Sequence, residues 1–518
     1  MKYFFILLLI AALITGCDTI TEKQSGEELA KIHCASCHQY PAPDLLDKKS
    51  WNKHILPRMG YMLGILPKDS IGGGFIEPFA EEIAFNNPLL FRKRPALTIN
   101  QWKAIRKFYI SESPEKLPPL NREKINKTCD QFDVDFPDYF ISPPSTTLVN
   151  IQEENIFIGD AHTRKFLQFD NEQNLTKMAN AGEVPVWMND TEGGLIITSM
   201  GAFSPTDASL GKVIYLPKFK NQPPIVLIDS LRRPVHTELA DLNNDGRFDL
   251  IISEFSKWTG CLAWWQNDGK GNFKKHVLRN MPGAIKAYAE DLNGDNLKDI
   301  IALFGQGDES IFIYYNQGDG QFKEERAMRF PPSYGSSYFN LFDHNNDGHQ
   351  DIIYTNGDNA DFPPINKPYH GIRIFENNGK NNFKEIFFYP MYGAYHAIPR
   401  DFDEDGDLDI AAISFFPDFK DNPHESFIYL ENKNNYEMEA STIRGFNKGR
   451  WIVMDSGDID GDKDTDLVLG SLAFEVIPKI GLVEKWVKDG IPFIILKNKL
   501  NKQVVKKNDT FPLPEKEF

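Results

Sequence analysis

The stretch Asp241-Leu-Asn243-Asn-Asp245-Gly246-Arg-Phe-Asp249 puts oxygen-bearing side chains at positions 1, 3, 5 and 9 of a turn and runs straight into Leu250-Ile-Ile-Ser253. It recurs as Asp291-Leu-Asn293-Gly-Asp295-Asn-Leu-Lys-Asp299, Asp343-His-Asn345-Asn-Asp347-Gly348-His-Gln-Asp351, Asp401-Phe-Asp403-Glu-Asp405-Gly406-Asp-Leu-Asp409 and Asp458-Ile-Asp460-Gly-Asp462-Lys-Asp-Thr-Asp466. The starts lie 50, 52, 58 and 57 residues apart. A period of this size marks a chain built from repeated supersecondary units. Side-chain oxygens at 1, 3, 5 and 9, with a backbone carbonyl at 7, suit a hard cation, so the spacing predicts up to five bound Ca2+. An EF-hand shares the first half of this pattern but needs a bidentate Glu at position 12 and a helix after it. Position 12 is Ile252, Ala302, Tyr354, Ala412 and Leu469, each inside a β-prone apolar run. These loops feed strands. Solvated turns are the plain alternative, but they give no reason to gather mutually repelling carboxylates five times.

A second repeat falls between the loops. Trp264-Trp-Gln-Asn267-Asp-Gly269, Tyr314-Tyr-Asn316-Gln-Gly318 and Phe375-Glu-Asn377-Asn-Gly379 each continue to an aromatic at 273, 322 and 383, with shorter versions at Tyr429-Leu-Glu-Asn432 and Ile495-Leu-Lys-Asn498. An aromatic strand, an Asn/Gly turn and another strand make a hairpin. Each unit thus holds an acidic loop and several strands, which is a propeller blade. Together the two motifs resemble the FG-GAP/VCBS repeat family, firmly over about 235–500. The resemblance implies a β-propeller whose blades carry calcium loops. Residues 130–235 lack the loop but alternate strand and turn, as in Asn155-Ile-Phe-Ile-Gly-Asp160, and would add two blades. About seven blades are expected over 135–505, with six or eight open and a tail at 506–518.

Upstream stands Cys34-Ala-Ser-Cys37-His38, the c-type haem attachment pattern. Two thiols three apart can each form a thioether to a vinyl group, and the adjacent imidazole can serve as the proximal iron ligand. A redox dithiol or half a zinc site is the competing reading. Gly26 to Cys34 reads as an amphipathic helix, and Trp102, Ile105 and Tyr109 stripe a second one from Thr98 to Ser111. Residues 26–115 thereby resemble the small class I cytochromes c, in which two such helices cross. That resemblance implies one haem c on Cys34 and Cys37, with His38 and a methionine on the iron. Met59 is preferred, Met62 is the alternative and His54 the third candidate. Gly72-Gly73-Gly74 and the run to Pro95 read as a loop over the haem edge. The expected fold class is therefore multidomain: a small all-α cytochrome c domain, a linker at 116–134, then an all-β propeller.

Lys2 and the apolar Phe4–Ile14 stretch form an export signal, too short to span a bilayer as a mature helix. Leu13-Ile-Thr-Gly-Cys17 resembles a bacterial lipobox, which implies lipidation of Cys17, a tether over 18–25, and a membrane-anchored protein on the periplasmic or cell-surface side. The remaining cysteines, Cys129 and Cys261, either pair or stay as separate buried thiols. Net charge −16 argues against a nucleic-acid partner. With 41% hydrophobic and 25% charged residues the chain is globular. No Trp docking motif of quinone-dependent propellers is present. His236, His370 and His396 could ligate a second haem, but read first as surface or packing residues. Two functions follow: a lipid-anchored electron carrier whose calcium-stabilised propeller binds a partner protein, small molecule or polymer, or a dehydrogenase whose propeller passes electrons to the attached haem. A cell-surface binding module is a third.

Overall fold

The computed structural model describes residues 24–67, 76–122, 124–125, 127–218, 222–360, 364–473 and 481–500. Seven four-stranded antiparallel sheets follow one another along the chain and close into a ring. Their innermost strands are Thr146–Gln152, Pro185–Thr191, Pro234–Ala240, Ala284–Glu290, Ser336–Phe342, Ala394–Arg400 and Trp451–Gly457, numbered here as blades 1 to 7. The two blades expected upstream of the acidic loops are blades 1 and 2.

Each blade is graded from inside to outside. In blade 3 the second strand, Asp249–Glu254, is buried along its whole length, while the outermost, Phe273–Arg279, is largely exposed. A strand covered on both faces reads as a continuous apolar run, and the runs after the acidic loops are such strands. The ring closes through Phe132–Asp135, which pairs with Phe493–Asn498 as the outermost strand of blade 7. Phe132 is buried there, with its ring 5.5 Å from those of Phe402 and Tyr429. In all seven blades a register shift interrupts the pairing of the innermost strand between its first and third residues. Bulges of this kind re-aim side chains, and here they sit at the mouth of the central channel.

The expectation of an all-α cytochrome c domain ahead of the propeller is corrected by the structure. Helices are few and short: eight residues at Gly26–His33, seven at Leu56–Met62, six at Glu81–Asn86, fourteen at Ile99–Glu112 and eight at Leu482–Asp489. The helix Glu81–Asn86 and the chain around it share their packing with the propeller. Ile76, Ala80, Ala84, Leu90 and Phe91 form one buried cluster with Met281, and Trp258 packs against it. Phe91 and Trp258 lie 5.5 Å apart. Glu77 accepts from Thr206 Oγ1 at 2.8 Å and from the Asp207 N–H at 2.7 Å, and Tyr369 donates to the Leu45 carbonyl at 2.8 Å. Helices this short bury too little by themselves. Amphipathic stripes show that a helix is covered, not what covers it. The fold is a seven-bladed β-propeller carrying a few short helices.

Within the helical layer the Gly26–His33 helix does cross Ile99–Glu112. Gly26 is needed at the crossing, because a Cβ there would lie 2.3 Å from the Ala104 carbonyl oxygen.

Candidate functional site

Strand direction assigns two faces to the ring. The acidic loops join first to second strands, and the Asn/Gly hairpins join third to fourth, so both lie on one face. The helical layer touches the loops at 206–207, 258, 280–281 and 369, which lie on the other.

The five acidic loops share one backbone path. Position 4 is left-handed in every copy, at Asn244, Gly294, Asn346, Glu404 and Gly461, and so is position 6, at Gly246, Asn296, Gly348, Gly406 and Lys463. Glycine and asparagine tolerate that region; Glu404 and Lys463 occupy it at a cost. Carboxylate oxygens of Asp401, Asp403 and Asp405 lie within 4.8 Å of one another, as do those of Asp458, Asp460 and Asp462. In blade 3 the Asp245 N–H donates to Asp241 Oδ1 at 3.1 Å and to Asn243 Oδ1 at 3.2 Å, folding the same three positions together.

Position 9 differs from the others. Asp249, Asp299, Asp351, Asp409 and Asp466 are fully buried. The Oδ1 of each accepts the N–H of the asparagine ending the third strand: Asn267 at 2.8 Å, Asn316 at 2.8 Å, Asn377 at 2.7 Å, Asn432 at 2.8 Å and Asn498 at 2.8 Å. Trp264 Nε1–H and Tyr429 O–H add bonds to Asp249 and Asp409 at 2.9 and 2.6 Å. Burial pushes the Asp299 carboxyl up to about 6 and Asp409 and Asp466 to about 7. The asparagine is a functional partner that the sequence reading placed only in a turn. Its signal was its fixed place after the aromatic strand.

On the opposite face, Cys34 and Cys37 are free thiols on one turn after the Gly26–His33 helix. Cys34 is partly buried, and burial pushes its thiol up to about 11; Cys37 is exposed. The His38 Nδ1–H donates to the Gln39 carbonyl at 2.8 Å, which turns Nε2 away from the backbone. Burial holds this imidazole below its ordinary value, and Asp308 and Arg329 of blade 4 both act on it. Met59 packs against the cluster that Cys34 also joins, with Leu29, Trp102 and Tyr109. Met62 packs against the other cluster, toward Phe91 and Met281. His54 is half-buried in a single π-helical turn.

The remaining candidates are placed as follows. Cys129, ahead of the closing strand, and Cys261, in blade 3, are separate buried thiols, and Cys261 donates to Glu254 at 3.3 Å. His236, His370 and His396 are all buried, not on the surface. Cys17, Gly72–Gly74 and the 506–518 tail lie outside the described residues. No helix among the described residues is long and apolar enough to cross a membrane.

The FG-GAP-like repeat family matches residues 241–302 and 291–354. No curated protein matches the chain. Among solved structures the chain is similar to the N-terminal domain of Nup159 (TM-score 0.42, 10% identity, 73% of this chain and 98% of that one). It is also similar to a luciferin-regenerating enzyme (TM-score 0.36, 8% identity, 72% and 99%) and to the Dos1 propeller (TM-score 0.40, 9% identity, 68% and 77%). Likenesses this remote carry no argument about function. The repeat match and the seven closed blades agree on one statement: the chain carries FG-GAP-like repeats on a seven-bladed β-propeller.

Proposed function

We propose that the protein is an exported, lipid-anchored electron carrier, with Cys17 as the lipidated residue, whose propeller is the platform for a partner. One haem c would be held by Cys34 and Cys37, with His38 and Met59 as axial ligands and Met62 as the alternative. The observation that carries this reading is the donor set on one short turn. Two unpaired thiols three residues apart precede an imidazole whose Nδ1–H is already engaged, leaving Nε2 for iron. Met59, in the cluster that Cys34 joins, favours it over Met62. When bound, the haem takes up and releases single electrons. The chain's own part is to exclude water with Trp51, Trp102 and Tyr109, all buried beside Cys34, and to fix the His38 ring through Gln39. Calcium in the five acidic loops would neutralise the crowded carboxylates at positions 1, 3 and 5 and pin the start of each second strand.

The test is the visible spectrum of protein matured with a cytochrome c assembly system. A sharp reduced α-band and a methionine–iron charge-transfer band that Met59→Ala abolishes are expected. Absence of covalent haem, or a five-coordinate spectrum in the wild type, overturns the assignment. A second reading, catalysis in the propeller with the haem as acceptor, is favoured by the placement of His38 against blade 4, where Asp308 and Arg329 act on its ring. Haem reduction by a small substrate without any partner protein would support it.

A further inference from the structure

The segment from Pro78 to Pro95 opens an apolar face on the helical layer. Phe79, Ile83 and Leu89 are 59%, 46% and 61% exposed. A contiguous exposed apolar patch with a polar rim marks an interaction surface. These three side chains are contiguous. Phe79 and Ile83 lie four residues apart, on one side of the consecutive turns Pro78–Ala80 and Glu81–Asn86. Ile83 lines a groove together with Pro88, the neighbour of Leu89, against Asn280, which follows the outermost strand of blade 3.

A basic edge adjoins the patch. Arg92, Lys93 and Arg94 are all exposed. Lys93 Nζ donates at 3.2 Å to Oδ1 of Asn86, which lines the same groove. Arg92 Nη2 donates at 3.1 Å to Ser36 Oγ, so the edge runs from the groove to the turn of Cys34 and the exposed Cys37. The carboxylates of this segment are less available. Glu77 is turned into the loop at 206–207 of blade 2, Glu81 is half-buried, and Glu82, at the groove, is exposed. Apolar side chains edged by cations, in a chain of net charge −16, suit an anionic surface.

The place where the described chain begins selects the kind of surface. Cys17 precedes Gln24, the first described residue, by seven positions, and seven extended residues reach at most about 25 Å. The helix Gly26–His33 follows and runs into the Cys34 turn. A lipid on Cys17 therefore holds the helical layer within reach of the bilayer. This step rests on the anchored reading proposed above.

We propose that this face of the helical layer seats on an anionic bilayer surface. Phe79, Ile83 and Leu89 would enter the boundary between headgroups and acyl chains, and Arg92, Lys93 and Arg94 would meet lipid phosphates.

Flotation of the mature chain with vesicles tests this, using residues 17–518 with Cys17→Ser so that no acyl group is attached. Vesicles of equal parts phosphatidylcholine and phosphatidylglycerol should bind it saturably, and pure phosphatidylcholine about tenfold more weakly. Lys93→Gln/Arg94→Gln should weaken anionic binding about tenfold or more. Phe79→Ser/Leu89→Ser, at exposed positions that leave the core intact, should do the same through lost apolar contact. Phe248→Ser, at a side chain 63% exposed on the acidic-loop face, should change nothing. No binding to the anionic vesicles, equal binding to the neutral ones, unchanged binding by patch variants whose circular dichroism matches wild type, or an equal loss in Phe248→Ser would overturn the proposal. The first of these outcomes would leave the patch to a protein partner. The mass of protein exported with Cys17 intact reports acylation separately, so loss of the anchor and loss of the docking face are told apart.

Discussion

Replacing Asp249 by alanine separates the two roles a carboxylate can play at position 9. In the wild type its oxygens accept from the Asn267 N–H at 2.8 Å and Trp264 Nε1–H at 2.9 Å, and the side chain is fully buried. Asp249→Ala leaves both donors facing a methyl-sized gap. Hydrogen bonds to a charged group contribute about 1.5–3 kcal/mol each. Burial raises the Asp249 pKa, so its charge is itself costly here, and removing it returns part of the loss. A net destabilisation of about 2–4 kcal/mol is expected. Denaturant unfolding followed by tryptophan fluorescence, once with Ca2+ and once with EDTA, reads it. Bracing by hydrogen bonds predicts that the difference survives chelation. A side chain acting only through a bound cation predicts that it vanishes. A difference below about 0.5 kcal/mol in EDTA, the scale of an ordinary surface change, would refute the brace.

Other expectations can be checked with the same material. Lys463→Gly relieves a left-handed non-glycine residue, φ +77°, and should raise stability by about 1 kcal/mol, seen as a higher melting temperature. Phe132→Ala unpins the closing strand and should cost about 3–5 kcal/mol, with proteolysis beginning near residue 132. Chelating Ca2+ should lower the melting temperature, since a ligand at 100 times its Kd contributes about 2.7 kcal/mol per site; an unchanged melt would remove calcium from the loops. Glu309 is fully buried, and burial pushes its carboxyl up to about 7 against an ordinary 4.5. Its folded pKa is the higher one, so the protonated form stabilises the fold at low pH and that stability is lost as pH rises from about 4.5 to about 7. Glu309→Gln should flatten the melting temperature across that window.

The loops and hairpins were legible because their information is local. Turn chemistry at positions 4 and 6, and the aromatic strand before each asparagine, repeat within one unit, so five copies reinforce one another. Blade number was harder, since the closing strand Phe132–Asp135 comes from the far end of the chain and has no acidic loop to announce it. The helical stripe Trp102, Ile105 and Tyr109 was read correctly as a buried face. What it could not reveal was that the segment before that helix, through Ala80, Ala84 and Phe91, finishes its packing on Met281, nearly two hundred residues later. The channel was invisible for the opposite reason. Its ring takes a different residue from each blade (Trp187, His236, Lys286, Tyr338, His396), so no repeat marks it. Only the bulge before the third residue of every innermost strand lines them up.

The distribution of charge gives this arrangement a direction. Residues 26–115 carry twelve Lys and Arg against ten Asp and Glu, a net of +2 in a chain of −16, so the remainder stands at −18. Much of that acidity is in the five loops on the face away from the helical layer. Cations are therefore drawn to the loop side of the ring, and anions are repelled least where the carboxylates are fewest. An acidic partner docking on the helical face would meet the slight positive balance there, whereas from the loop side it would meet the acidic turns. Long-range attraction of this kind acts on the encounter rate and fades within about 10 Å at 0.1 M salt. Slower association of an acidic partner at high salt, with the dissociation rate little changed, is the kinetic signature expected of docking on the helical face. Insensitivity of the association rate to salt would mean that the helical layer does not steer the approach.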